Sequence, residues 1–333
     1  MVTLPTYENQ IWHPVCESNH VLESPLPVTL LNMELVLWRD ESGSIRCLHD
    51  QCPHRGAKLS LGTVCQGHLQ CAYHGWQFDG EGVCQRVPSK MSFKPGPAQQ
   101  ARVVAVTENM GLIWVCLNPL HATSGSLPGF AAEHDSEQRK IMAGPYEVNT
   151  SAPRIVENFL DIAHFGFVHS GWLGDANASN VADYTVESTA QGFVVKNVRV
   201  EQPQASLSIN HQALVSYQYE VTHPYSAVLT KVQVVEEGAA PAFEESIALF
   251  IQPITAEHSR VWFRMAVKDW ESEPEDLIAF QDKIFSQDKP VLESQRPREL
   301  PILSGSEVHV AADKASVAYR KYLVQCGITF GVC

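Results

Sequence analysis

Between Cys52 and Trp76 the chain reads CPHRGAKLSLGTVCQGHLQCAYHGW, with three cysteines and three histidines. Four of these stand in two short motifs. Cys52 and His54 form C-x-H, and Cys71 and His74 form C-x-x-H after a spacer of 16 residues. Each motif sets a thiolate and an imidazole on one tight loop, and two such loops can close on a metal centre from both sides. A tetrahedral zinc accepts two Cys and two His, but C-x-H is an unusual zinc spacing. A [2Fe-2S] cluster whose one iron takes two thiolates and whose other takes two imidazoles asks for this division. Neutral imidazoles leave such a cluster less negative, so it is easier to reduce than an all-cysteine one. Cys47 and His49 make a second C-x-H inside a strand-like run, where packing accounts for them, as it does for Cys65, Cys84 and Cys116. His68 is expected on a solvated loop.

A second set of candidates lies in ENFLDIAHFGFVH (157–169). Asn158, Asp161 and His164 are three apart and would share one helical face. His169 is five beyond His164, about 140° further round an ideal helix, so the helix must end or loosen near Gly166 if both imidazoles are to meet one metal. An iron that activates dioxygen wants two His and one carboxylate on one face, leaving positions open. EDLIAFQDKIFSQDKPVLESQ (275–295) offers the carboxylate. At 100° per residue, Leu277, Ile284, Phe285, Val291 and Leu292 all fall within about 60° of Asp288, whereas Asp276 and Asp282 lie about 120° away and Glu293 about 140°. A carboxylate in the middle of an apolar stripe is costly unless paired or metal-bound. A salt bridge to a core Arg, or a bend at Pro290 that exposes Asp288, would also meet that cost.

These residues need elements to hold them. Residues 1–118 read as short strands: VTLLNMELVLWRD (28–40) and SIRCLH (44–49) flank the turn DESG, and HLQCAYHGWQFD (68–79) runs into the turn DGEG. NPLHATSGSLPGF (118–130) has the composition of a linker. Beyond it, RIVENFLDIAHFGFVH (154–169) starts helical, residues 192–270 alternate as strands, and the pattern turns helical again from Glu275. The order is an all-β module, 1–118, followed by an α+β module, 119–333. A chain of 333 residues suits about two domains. Its net charge of −13 excludes a general electrostatic pull on nucleic acid or anionic lipid. Its longest apolar run, GLIWVCL (111–117), is too short to span a bilayer. Nine cysteines, an odd number with no export signal in view, are expected to be reduced thiols in the cytoplasm.

CPHRGAKLSLG together with CAYHGWQFDGEGVC resembles the N-terminal domain of the Rieske non-heme iron oxygenases. The Pro before the first His, the Arg-Gly after it and the Tyr-His-Gly-Trp of the second loop all match. The resemblance implies a Rieske [2Fe-2S] cluster on Cys52, His54, Cys71 and His74, and a helix-grip-like catalytic domain with a central antiparallel sheet, an α+β chain overall. It implies mononuclear Fe(II) on His164, His169 and Asp288, Asp161 as a bridging aspartate, and Asn158 near the iron. In this family electrons cross from the cluster of one subunit to the iron of its neighbour in a homotrimer, here through His74, Asp161 and His164. The chain carries neither a dinucleotide-binding fingerprint nor ferredoxin-type cysteine spacing, so electrons are expected from a separate NAD(P)H-dependent flavin and iron–sulfur reductase, or a ferredoxin. Length and spacing resemble the monooxygenase branch that includes vanillate- and dicamba-type demethylases. HSGWLGD (169–175) and YRKYLVQCGITFGVC (319–333) resemble small hydroxylases of the saxitoxin pathway, which act on a guanidinium-bearing heterocycle; these segments do not assign the substrate. The implied function is a terminal oxygenase that hydroxylates, or oxidatively N- or O-demethylates, a small aromatic or heterocyclic molecule. A cis-diol dioxygenase, or a Rieske electron carrier with a partner-binding C-terminal module, are the alternatives. Pocket residues are expected from the sheet between Phe193 and Val267 and from Phe165, Phe167 and Trp172.

Overall fold

A computed structural model of the chain describes residues 6–118, 127–204, 206–207, 211–235, 243–303 and 305–333. The chain divides into two compact units, Met1–Leu127 and Pro128–Cys333. Most of the linker-like segment expected at 118–130 lies outside the described residues.

Among the described residues the first unit holds ten short strands: β1 (His13–Glu17), β2 (Leu26–Leu30), β3 (Met33–Arg39), β4 (Ile45–His49), β5 (Thr63–Cys65), β6 (His68–Gln70), β7 (Gln77–Phe78), β8 (Cys84–Arg86), β9 (Ala105–Asn109) and β10 (Leu112–Cys116). They form three antiparallel sheets in the orders β1-β10-β9, β2-β3-β4 and β5-β6-β7-β8. The run 28–40, expected as one strand ahead of the DESG turn, is two. Leu31 and Asn32 take left-handed φ of 51° and 62° and close a two-residue hairpin, the backbone a type I′ turn requires. A Leu in the first of those positions hides the signal. His68 is also not on a loop: it is half-buried on β6, opposite Cys65. Trp38, Leu48, Leu59, Leu69 and Phe78 pack into one apolar cluster that includes Cys52 and Cys71. The thiols of the two motifs are thus part of the core.

His13 is fully buried, and its Nε2 lies 2.7 Å from the Glu8 carbonyl. Burial disfavours its charged form and lowers its pKa to about 4, against 6.5 for a free imidazole. Below pH 6.5 the unfolded chain takes up a proton that the folded chain refuses, so stability is full above pH 6.5 and is lost as pH falls from there toward 4. Denaturant unfolding of the first unit should show a loss of about 1–3 kcal/mol between pH 7.5 and pH 4.5. His13→Gln should flatten that dependence; an unchanged slope would exclude His13 as its source.

The second unit is one antiparallel sheet of β11 (Arg139–Val148), β12 (Thr185–Ser188), β13 (Phe193–Gln202), β14 (Ala213–His223), β15 (Ser226–Gln233), β16 (Glu244–Thr255) and β17 (His258–Val267), in the order β11-β17-β16-β15-β14-β13-β12. On β14 buried and less buried positions alternate, as one covered face requires, whereas the middle of β16 is buried continuously. Among the described residues four α-helices accompany the sheet: α1 (Ala152–Leu160), α2 (Phe165–Val168), α3 (Pro274–Ser294) and α4 (Lys314–Cys326). The Ser151 hydroxyl accepts from the Arg154 amide to cap α1, and Pro274 opens α3 with Glu275 and Asp276 in its first turn, side chains that suit a helix N-terminus. Among the described residues no helix is long and apolar enough to cross a membrane.

Candidate active site

The two motifs of the first unit fold into matching loops. The Cys52 amide donates to the Ala57 carbonyl at 2.8 Å, and the Gly56 amide donates back to the Cys52 carbonyl at 2.9 Å. The second loop repeats this: the Cys71 amide donates to Trp76 at 2.9 Å and the Gly75 amide to Cys71 at 3.0 Å. Gly56 and Gly75 hold φ of +72° and +67°, a left-handed turn that costs glycine nothing. The Asp50 carboxylate accepts from the Ser60 amide and hydroxyl at 2.7 and 2.6 Å and ties the first loop down.

The loops sort the four donors into pairs. Cys52 and Cys71 are both 2% exposed and interact with each other. The rings of His54 and His74 lie 4.4 Å apart on the outer side, and His74 is exposed. Trp76 stacks on His54 at 4.5 Å. Burial first, and the neighbouring Cys71 second, push the Cys52 thiol up to about 11, and a bound cation favours its thiolate. His54 Nδ1 is buried without a hydrogen-bond partner. Two thiols inside, two imidazoles outside and an orphaned ring nitrogen fit a cluster divided between sulfur and nitrogen ligands. Cys47, in the rival C-x-H, is buried on β4, and burial raises its pKa far above the thiol range, as for a core residue.

In the second unit α1 stops at Leu160, and Asp161 turns to extended backbone (φ −81°, ψ 135°). This corrects the expectation of one helical face through Asn158, Asp161 and His164 with a break near Gly166. The break comes five residues earlier, where Asp161 accepts from the Ala163 amide at 2.9 Å and starts a turn. Gly166 lies inside the short α2, where an added Cβ would come within 2.8 Å of the Asp175 carbonyl. The effect on the imidazoles is still convergence. His164 Nε2 and His169 Nε2 are 3.2 Å apart, and Asp288 Oδ1 is 3.3 Å from the first and 3.2 Å from the second. Three donors at about 2.1 Å from one cation, on one side of it, would form such a triangle.

Asp288 is 7% exposed despite Pro290, and no core Arg pairs with it among the described residues. Val291, placed on the apolar stripe by its angle, is instead 43% exposed. Burial opposes ionisation of Asp288, but the His164 and His169 imidazoles hold its carboxyl below the usual range. Burial also opposes charge on His164, yet hydrogen bonds to Asp161 and Asp288 outweigh it and raise this imidazole to about 9. The pocket is thus built to hold positive charge. Asp161 Oδ2 lies 3.0 Å from His164 Nδ1, and Asn158 Nδ2 donates to Asp288 Oδ1 at 3.3 Å. One partner escaped the sequence reading: Gln287 Oε1 accepts from His169 Nδ1 at 2.8 Å and leaves Nε2 for a metal. Its one sequence signal is that it immediately precedes Asp288.

The triad forms part of the wall of a cleft of about 680 Å³ including its mouth. Phe165 lines it as expected, as do Tyr217, Tyr219, Leu249 and Phe263 from the sheet, together with Phe280 and Phe285 of α3. Phe167 and Trp172 are not among its lining residues. Phe167 is 67% exposed, and Trp172 packs in an outer cleft against Phe280, with Lys283 Nζ 3.6 Å from its ring centre.

Comparison with known proteins agrees with this architecture. Residues 11–104 match the Rieske [2Fe-2S] domain family, and residues 148–326 match the vanillate O-demethylase oxygenase C-terminal domain family. The chain is 34% identical over 327 residues to methylxanthine N1-demethylase NdmA of Pseudomonas putida, covering 95% of this chain and 88% of that protein. The structure of NdmA with caffeine superposes with a TM-score of 0.80 at 31% identity, covering 96% and 90% of the two chains. Dicamba monooxygenase shares the fold, with a TM-score of 0.83 at 23% identity over 97% of this chain and 98% of that one. The chain belongs to the Rieske non-heme iron oxygenases. Within them it is a terminal oxygenase, with a Rieske cluster and a mononuclear iron as its cofactors.

Proposed function

We propose that Cys52, His54, Cys71 and His74 hold the Rieske cluster, that His164, His169 and Asp288 hold the mononuclear iron, and that the enzyme demethylates a small N- or O-methylated heterocycle or aromatic. Electrons come from a separate NAD(P)H-dependent reductase or a ferredoxin. The observation that carries the reading is the His164–His169–Asp288 triangle in the wall of an aromatic cleft. The bound iron supplies dioxygen activation, and hydroxylation of a methyl carbon then releases formaldehyde. Gln287 fixes the tautomer of His169, and Asn158 holds the carboxylate of Asp288 in place. The aromatic walls exclude water and stack on a flat ring. Demethylation is favoured by the relatives, which include a methylxanthine N-demethylase and a dicamba O-demethylase oxygenase component.

The working form in this reading is a homotrimer. Asp161 joins His164 on one side, and its side chain keeps 31% exposure on the other. His74 of the cluster loops is likewise exposed. An exposed imidazole from a neighbouring copy can therefore donate to the outer edge of the carboxylate, and one hydrogen-bonded path then joins the two metal centres. Reconstitution with a surrogate reductase, over a panel of methylated aromatic acids, methylxanthines and guanidinium heterocycles, should yield formaldehyde for at least one compound. Asp161→Asn keeps the shape but loses the charge. It should retain full iron and normal cluster reduction while product formation drops by orders of magnitude. Unimpaired turnover of this variant would remove Asp161 from the path.

A further inference from the structure

A lysine in the wall of the cleft, Lys231, belongs to an ion pair that the metal site does not use. Lys231 lines the cleft from β15 and is 4% exposed. It stands directly opposite Tyr217 on β14 and Glu245 on β16. Its Nζ lies 2.7 Å from the Glu245 carboxylate, whose side chain is 12% exposed. The neighbours on the same face of the sheet are Tyr219, Leu229, Ile247 and Leu249, so an ion pair interrupts an otherwise apolar wall. Such a pair gains little for folding: well-packed apolar residues of similar volume serve as well or better. What the pair adds is a charged donor in the apolar wall of the cleft.

We propose that Lys231 is a specificity-determining residue that donates a hydrogen bond to a neutral carbonyl oxygen on a ring substrate, of lactam, urea, imide or carbamate type. The inference rests on the oxygenase reading of the same cleft. Charge balance selects a carbonyl over a carboxylate. Glu245 already neutralises Lys231, so the pair offers a carboxylate no net positive charge. A carboxylate docked on Lys231 would set its negative charge close to that of Glu245, and like charges repel more strongly away from water. A carbonyl needs only the donor, and a ring without oxygen forfeits the bond.

The test is calorimetric binding to the iron-loaded protein, without turnover. The probes are caffeine and N-methyl-2-pyridone as neutral ring carbonyls, 4-methoxybenzoate as a carboxylate and N,N-dimethylaniline as a ring with neither. Lys231→Met alone would strand Glu245 in the core, so the decisive variant is Lys231→Met with Glu245→Leu, which replaces the pair by apolar side chains. At least one carbonyl probe should bind the wild type more tightly than both other classes. The double variant should bind that probe about 10–100-fold more weakly, the range expected for losing a hydrogen bond to a charged donor. Its affinity for dimethylaniline should stay within about twofold, and its melting temperature should hold or rise. The proposal is overturned if no carbonyl probe binds the wild type, if 4-methoxybenzoate or dimethylaniline binds best, or if the double variant keeps its carbonyl preference or merely melts lower. The oxygenase reading is scored separately by iron content and dioxygen consumption on reduction, neither of which uses Lys231.

Discussion

Asp288→Ala should give a brown protein that makes no product. Its carboxylate closes the donor triangle at 3.3 Å from His164 and 3.2 Å from His169, and two imidazoles alone do not hold an Fe(II) site of this kind. The cluster loops draw on other residues, so their visible absorbance should persist. Iron should drop from about three to about two per chain. The fold should tolerate the change, because His164 keeps its other carboxylate partner, Asp161, at 3.0 Å. Asp288→Asn tests the same point with the shape retained and should also fail to hold iron. A variant with three irons per chain and normal turnover would place the ligand carboxylate elsewhere.

Cys71→Ser should bleach the protein and abolish turnover, whereas Cys47→Ser should leave the colour intact. Both cysteines are buried, at 2% and 1% exposure, so accessibility does not separate them. Position does. Cys71 opens a loop whose amide and carbonyl are both spent on holding its turn, and its sulfur is set beside Cys52. Cys47 sits in the middle of β4, where a hydroxyl in place of the thiol should cost about 1–3 kcal/mol of stability and no iron. The wild-type midpoint potential should fall within roughly −150 to +300 mV. Loss of colour in Cys47→Ser alone, or a colourless wild type that binds zinc, would sink the cluster assignment.

The candidate metal-binding residues were more legible in the sequence than the backbone that brings them together. Cys52, His54, Cys71 and His74 stand close together in the chain, and their spacing carries the geometry of two loops. Asp288 was legible because a helical wheel sets it among Leu277, Ile284 and Phe285, all buried on α3. The break at Asp161 was not, because the turn depends on that residue's own side chain accepting from the Ala163 amide, and helical periodicity cannot detect it. Gln287 and the Lys231–Glu245 pair escaped for another reason. Their partners come from other strands or helices, so nothing local marks them. Trp172 and Phe167 illustrate the opposite error: aromatics next to a candidate metal ligand invite assignment to the pocket, yet one packs in an outer cleft and the other faces solvent.

One helix, α3, carries the carboxylate proposed as a metal ligand together with Phe280, Gln281, Ile284 and Phe285 of the cleft. The facing wall, Tyr217, Leu249 and Phe263, belongs to strands that supply no ligand to the triad. For directed evolution the two walls are therefore unequal. Libraries on the strands can reshape substrate range while iron occupancy holds. Libraries on α3 shift Asp288 along with the pocket, and many of their members should be lost as metal-free protein before any change in selectivity can be scored.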